Sequence, residues 1–278
     1  MKEIKSIDEL KEIQLKILKN VDEFCKKNNI NYWLDCGTLI GAVRHKGYIP
    51  WDDDIDIGML KKDYEKFMVL YNKSNTRYKF LDNELDSSFN YFIGKVLDTN
   101  TILYEPNKKN GIKSAVFIDV FVYNNAPDNE KKLKKMFQKK RKYQLLSWFK
   151  NFESINSEDS MIKKIIKKMV HNLLKILPNS YFYEKVILNS KKYDNCKTQK
   201  VGNFRGIDNF CCAKDALKSF IYMDFEDAKF PVPIGYDEWL KSNYGDYMQL
   251  PPVEKQIPHH EFEAYIINNE GENKNEKI

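Results

Sequence analysis

Residues 49–59, IPWDDDIDIGM, place four aspartates within five positions, between a Pro-Trp turn and an apolar run. Carboxylates repel one another and are costly to desolvate, so such crowding needs a cause. If the segment is a strand, side chains alternate, and Asp52, Asp54 and Asp56 share one face while Ile55 and Ile57 share the other. The acidic face then converges on a point. A cation would neutralise it, and oxygen-only ligands favour Mg²⁺ or Mn²⁺. The competing reading is a solvated acidic loop or a cluster that caps a helix.

Two further stretches bear on that choice. VFIDVF (116–121) is an apolar run with one aspartate inside it, and on a strand Phe117, Asp119 and Phe121 share a face. A lone buried Asp must be paired, hydrogen-bonded or metal-bound. An adjacent strand carrying Asp119 up to Asp54 and Asp56 would complete a site for one or two divalent ions. In CGTLIGAVR (36–44), a Gly37-Thr38 turn opening a helix would leave backbone N–H groups free to hold an anion. A phosphate there, beside a carboxylate-bound metal, is the arrangement that phosphoryl transfer requires.

The elements that must position these groups follow from apolar spacing. Ile7, Leu10, Ile13, Ile17, Val21 and Phe24 predict an amphipathic helix over 7–27. NYWLDCG (31–37) reads as a short buried strand. TLIGAVRHK suits a helix with Thr38 as its N-cap, and GYIP ends it. DIDIGM is a strand and KKDYEKFMVLYN a helix. Further strands are expected at Tyr78–Leu81, Tyr91–Leu97, Thr101–Tyr104 and Val116–Val122. This alternation predicts an α/β (α+β) mixed-sheet core. Near Asp128 the composition shifts to clustered lysines with helical spacing, which predicts a helical insertion over 128–198. The expected division is a core at 1–127, that insertion, a C-terminal part at 199–266 completing the site, and a disordered tail at 267–278.

Of 278 residues, 42% are hydrophobic, enough for a sizeable core, which excludes wholesale disorder. The 46 basic and 40 acidic side chains make a mixed surface with only a mild preference for anionic partners. Five cysteines without a CxxC pair argue against a disulfide framework or a structural zinc. No leader-like apolar core opens the chain, and the nearest approach to a membrane span, MVHNLLKILP (169–178), is short and interrupted. A cytoplasmic protein is expected, with Lys131–Lys142 either a solvated helix face or a peripheral contact to an anionic membrane.

The stretch GTLIGAVRHKGYIPWDDDIDIGMLKKDYEKF (37–67) closely resembles the signature of the LicD family of phosphocholine transferases, and more distantly that of fukutin and fukutin-related protein. FIDVF (117–121), FPVPIGYDEWLKSNYGDYMQLPP (230–252) and a histidine pair soon after fit the same pattern. The resemblance implies a nucleotidyltransferase-like fold. It also implies transfer of phosphocholine, or another phospho-alcohol, from CDP-choline or a related CDP-alcohol to a hydroxyl of a glycan, lipopolysaccharide, teichoic acid or lipid-linked acceptor, with CMP leaving. Two metal ions would be held by Asp54 and Asp56, with Asp52 or Asp119 completing the set. It favours His260, of the pair His259-His260, as general base.

Around this centre, Arg44 and His45 could touch donor phosphate or simply satisfy a helix C-terminus. Lys95 could contact phosphate or serve as an edge-strand lysine. Trp51 could stack on a base or on choline, or belong to the core. Tyr236, Trp239, Tyr244 and Tyr247 are dense enough for a quaternary-ammonium cage, although their spacing also suits core. The rival enzyme is a nucleotidyltransferase releasing pyrophosphate from a nucleoside triphosphate. A rival of another class is a nucleic-acid-binding protein using the lysine helix, but an intact acidic cluster repels phosphate, so no nucleic acid is expected.

Overall fold

The computed structural model describes residues 1–74, 77–104, 113–151, 160–257 and 263–267. The chain opens with β1 (Lys2–Ile4), α1 (Ile7–Asn28), β2 (Trp33–Leu34), α2 (Cys36–His45), β3 (Asp56–Leu60) and α3 (Lys61–Ser74). Strands β4 (Tyr78–Leu81), β5 (Gly94–Asp98), β6 (Thr101–Tyr104), β7 (Lys113–Ser114) and β8 (Phe117–Ala126) follow. Helices α4 (Glu130–Lys150), α5 (Met161–Leu174) and α6 (Tyr181–Ser190) lead to β9 (Lys200–Gly202) and β10 (Cys211–Ala213). The hairpin β11 (Phe220–Phe225) and β12 (Ala228–Pro233), α7 (Tyr236–Tyr244) and β13 (Glu263–Ile266) complete it.

The architecture is the expected α+β mixed sheet with flanking helices. At its centre lies β8, paired in parallel with β3 and antiparallel with β5; β2 and β4 extend the two sides, and β9 and β10 continue from the far end of β8. A second sheet runs β1-β13-β6-β7. Helix α1 forms where its spacing predicts. Ser6 caps it by accepting from the Glu9 amide, and Leu10, Ile13, Ile17, Leu18 and Val21 are buried beneath it. Phe24 stacks edge-on against Phe67 and Tyr71 of α3, joining the two helices over one core.

Several boundaries differ from expectation for identifiable reasons. Strand β3 begins only at Asp56, so Asp52 and Asp54 sit in the approach to the strand rather than on one of its faces. Strand β2 is two residues long, because α2 already starts at Cys36. Its N-cap is Asp35, in extended conformation with its carbonyl accepting from Leu39 N, and not Thr38. Strand β5 starts at Gly94 rather than Tyr91, and β8 runs on to Ala126.

A buried ionic knot ties distant parts of the chain together. Arg205 donates to Asp82 Oδ2 at 2.6 Å, to Glu84 Oε1 at 3.3 Å and to the Phe92 carbonyl at 2.7 Å. Tyr64 adds its hydroxyl to the same Asp82 oxygen at 2.6 Å. With this many partners the desolvated guanidinium and carboxylate are satisfied, where either alone would be strongly destabilising.

Candidate active site

The parallel register of β3 and β8 sets Asp56 directly beside Asp119. Asp119 N donates to the Ile55 carbonyl at 2.8 Å, which fixes where β3 begins. On β8 the buried Ile118, Val120 and Val122 alternate with Phe117, Asp119 and Phe121, so Asp119 stands on the opposite side from the aliphatic row. Just before β3, Asp52, Asp53 and Asp54 bring one carboxylate oxygen each to within 4.8 Å of one another.

Helix α2 closes the other wall. Thr38 is buried and its Oγ1 accepts from Asp56 N at 2.8 Å, pinning the first turn of α2 to the head of β3. A Cβ added to Gly37 would meet Asp52 Oδ2 at 2.5 Å. Only glycine lets that carboxylate lie against the helix start. On the opposite strand neighbour, Lys95 Nζ donates to Asp119 Oδ1 at 2.5 Å, and the ammonium lies 3.4 Å from the Phe117 ring centroid. Lys95 is therefore an interior cation paired with an aspartate of the cluster, not an edge lysine.

The electrostatics mark this as a charge-stressed centre. Burial pushes the Asp56 carboxyl well above the usual carboxylate range, and the charges of Asp54, Asp119, Asp52 and Asp35 push it further. Asp52 is raised too, chiefly by burial, with a hydrogen bond to Asp54 opposing the shift. Oxygen donors held together against their own repulsion are the set a hard divalent cation takes. Asp52, Asp54, Asp56 and Asp119 could hold it, with Asp53 within reach.

Asp35 was absent from the sequence expectations. It is fully buried, accepts from the Tyr123 hydroxyl at 2.5 Å, and donates its own amide to the Asp56 carbonyl at 3.0 Å. Its Oδ1 has no hydrogen-bond partner among the described residues. Burial raises it to about 6, against the stabilising phenol of Tyr123. The signal was present: a lone aspartate in the apolar NYWLDCG, by the same logic that singled out Asp119. Asp53 was passed over because strand alternation pointed it away, and the segment is not a strand.

The remaining candidates divide. Arg44 donates to the carbonyls of Tyr247 at 2.5 Å and Gln249 at 3.4 Å, clamping the end of α2 to the segment after α7. His45 stands edge-on to Trp51 with ring centroids 6.4 Å apart, and burial followed by the Arg44 charge lowers its pKa. Trp239 is core, packed on Trp33 and Tyr123, and offers no open ring face. Tyr247 is also buried, donating to Asp237 at 2.9 Å, and Tyr236 packs against the core. Tyr244 keeps an exposed edge, and its pKa is raised by burial and then by Cys36, Asp35 and Asp56, which puts the phenol beside the carboxylates. His259 and His260 lie outside the described residues, as does the tail beyond 267.

Comparison with known proteins identifies the family. The family model described as LicD/FKTN/FKRP, nucleotidyltransferase domain, matches residues 29–164, the span from before β2 into α5. The lipopolysaccharide cholinephosphotransferase LicD of Haemophilus influenzae is 33% identical over 264 residues, covering 93% of this chain and 98% of its own. Mannosyltransferase regulator 4 of Saccharomyces cerevisiae is 33% identical over 104 residues, 37% of this chain and 8% of its own. The human ribitol 5-phosphate transferase FKRP is 50% identical over 34 residues, 12% of this chain and 7% of its own. A one-third identity sustained along almost the full length of both chains leaves one conclusion: the protein belongs to the LicD family.

Proposed function

We propose that this chain is a transferase that moves phosphocholine, or a related phospho-alcohol, from a CDP-linked donor to a hydroxyl of a cell-surface glycan or lipopolysaccharide, releasing CMP. The observation that carries the reading is the Asp52–Asp53–Asp54 carboxylate group, with Asp52 against the glycine-opened start of α2, leading into Asp56 beside Asp119 on the next strand. The near full-length likeness to a lipopolysaccharide cholinephosphotransferase supports the class of transfer.

In this reading the four aspartates hold Mg²⁺ or Mn²⁺, two ions for preference. When bound, the metal neutralises the donor diphosphate and the charge developing on the leaving oxygen. The chain's own residues do the positioning. Thr38 locks α2 onto Asp56, so the helix N-terminus and the carboxylates face one reacting phosphoryl group. Gly37 lets the Asp52 carboxylate lie against that helix start. Lys95, held against Asp119, supplies a positive charge within the cluster. The acceptor oxygen forms the new P–O bond, the bond to CMP breaks with its electron pair, and the hydroxyl proton goes to a base, for which His260 is the candidate. Trp51 and Tyr244 are the aromatic faces proposed to meet the base or the choline.

The test is CMP release from CDP-choline, with and without divalent metal, by the wild type and by Asp54→Ala. Metal-dependent release that the substitution abolishes is expected, and slow hydrolysis without the acceptor would suffice. Release from a different CDP-alcohol would change the substrate and keep the chemistry. Pyrophosphate release from a nucleoside triphosphate would assign a nucleotidyltransferase instead. Failure to bind or turn over any CDP compound would end this reading.

A further inference from the structure

Helix α5 is mounted with its faces reversed. None of its residues is buried. Met161, Ile162, Ile165, Ile166, Met169 and Leu173 are each more than half exposed, and at about 100° per residue they share one face. The half-buried positions are Lys164, Lys167, Val170, His171 and Leu174, on the other side. His171 Nδ1 lies 3.1 Å from the Phe149 carbonyl, and Lys167 Nζ sits 5.9 Å from the ring centroid of Trp148, both on α4. The side turned to the protein thus carries Lys164, Lys167 and His171 beside Val170 and Leu174, and the isoleucines face the outside. An amphipathic helix of a water-soluble domain does the opposite, so an apolar face of this size marks a contact surface.

Charge says what the surface meets. Met161–Leu174 contains four lysines and no carboxylate. Lys163 and Lys168, both exposed, border the apolar face on its two sides. Aliphatic side chains flanked by lysines match the boundary between acyl chains and anionic headgroups. The helix is too short to span a bilayer, and among the described residues no helix is long and apolar enough to do so. We propose that α5 docks the protein on an anionic lipid bilayer, lying in the interface with its Ile/Met/Leu face in the acyl boundary.

This adds α5 to the contact expected of Lys131–Lys142, where every lysine but Lys140 is exposed. Helix α4 is also the bracket. Lys140 is buried and donates to the Asp208 carbonyl at 2.6 Å, and Gln144 donates to the Arg205 and Gly206 carbonyls at 2.9 and 3.1 Å. Through Arg205 the bracket reaches the buried knot at Asp82, next to β4 of the sheet that carries Asp119. The assignment does not depend on the reaction.

Flotation of the full chain with vesicles tests it, comparing phosphatidylcholine alone with phosphatidylcholine containing about one-third phosphatidylglycerol. Wild type is expected to float with the anionic vesicles at least about tenfold better than with the neutral ones. The double substitution Ile165→Glu/Met169→Glu should remove that binding, and Lys163→Glu/Lys168→Glu should weaken it and flatten its salt dependence. Both pairs are exposed, so the circular dichroism spectrum and melting temperature should match the wild type. Equal binding to neutral vesicles, or binding that survives the Glu pair, overturns the proposal. So does absence of vesicle binding; sedimentation would then reassign the face to a second copy if dimers form and the Glu pair abolishes them.

Discussion

The sheet centre and helix α5 break the same rule in opposite directions. Around the head of β3, Asp35 at the cap of α2 and Asp56 beside Asp119 are buried carboxylates. On α5, Ile162 and Leu173 are aliphatic side chains about 70% exposed. Each arrangement costs stability in the isolated molecule, and each is relieved by something the protein would bind: a cation in one place, an apolar boundary in the other. The local context separates them. Thr38 accepts from the Asp56 amide and Tyr123 donates to the Asp35 carboxylate, which hold the acidic segment in place, whereas α5 meets α4 through His171 and Lys167 among others and leaves its apolar face exposed.

The strongest way to break this comparison is to relieve the acidic segment without a cation. Asp56→Asn should lower CMP release on the order of a thousandfold. The same change should raise the urea midpoint of the metal-free protein at pH 7, because a carboxyl that resists ionisation becomes a neutral amide. Loss of both activity and stability would mean that Asp56 is a structural anchor and not a stressed ligand.

Asp35 offers a smaller effect with a defined sign. Its pKa rises from 3.8 to about 6 on folding, so the folded state binds the proton more tightly than the unfolded chain. Stability from this group is therefore greatest below about pH 4, falls as pH rises towards 6, and levels off above it, a change of about 3 kcal/mol. Asp35→Asn, measured by urea unfolding in chelator across that window, should flatten this part of the profile. A profile unchanged by the substitution would remove Asp35 from the stressed set. The smallest effect belongs to the other region: Ile165→Ala should alter stability in solution by less than about 0.5 kcal/mol, as expected of a surface position. A loss of 2 kcal/mol or more, typical of a core isoleucine, would mean that α5 is packed and not presented.

Period-2 and period-3.6 patterns made the core readable: α1, β4 and β6 lie where spacing placed them, and Asp119 was found as a lone charge in an apolar strand. The acidic cluster was legible by composition but not by geometry. Alternation was extended back through Asp52 and Asp54, whereas the Pro50–Ile55 approach obeys turn and capping contacts with no period. Thr38 was taken for a cap because its type suits one, yet the hydroxyl is spent on a strand 18 residues away, a tertiary choice invisible to local pattern. For Trp239 spacing left both a ligand face and a core position open, and three-dimensional packing chose the core. The reversed mounting of α5 is likewise a tertiary fact, since its wheel alone does not say which face meets the protein.

The Arg205 knot also bears on how the chain is made. Asp82, with no exposed surface, and Arg205 are 123 residues apart, and β9, which flanks the far end of β8, arrives only at residue 200. A chain emerging from the ribosome at about 5–20 residues per second would hold the central strands several seconds before their last neighbour and counter-charge appeared. Throughout that interval Asp82 would have the Tyr64 hydroxyl and no guanidinium. Until that segment is made, β8 therefore lacks β9 as a neighbour and Asp82 lacks its counter-charge, while β13 must still arrive later to join β1 to β6.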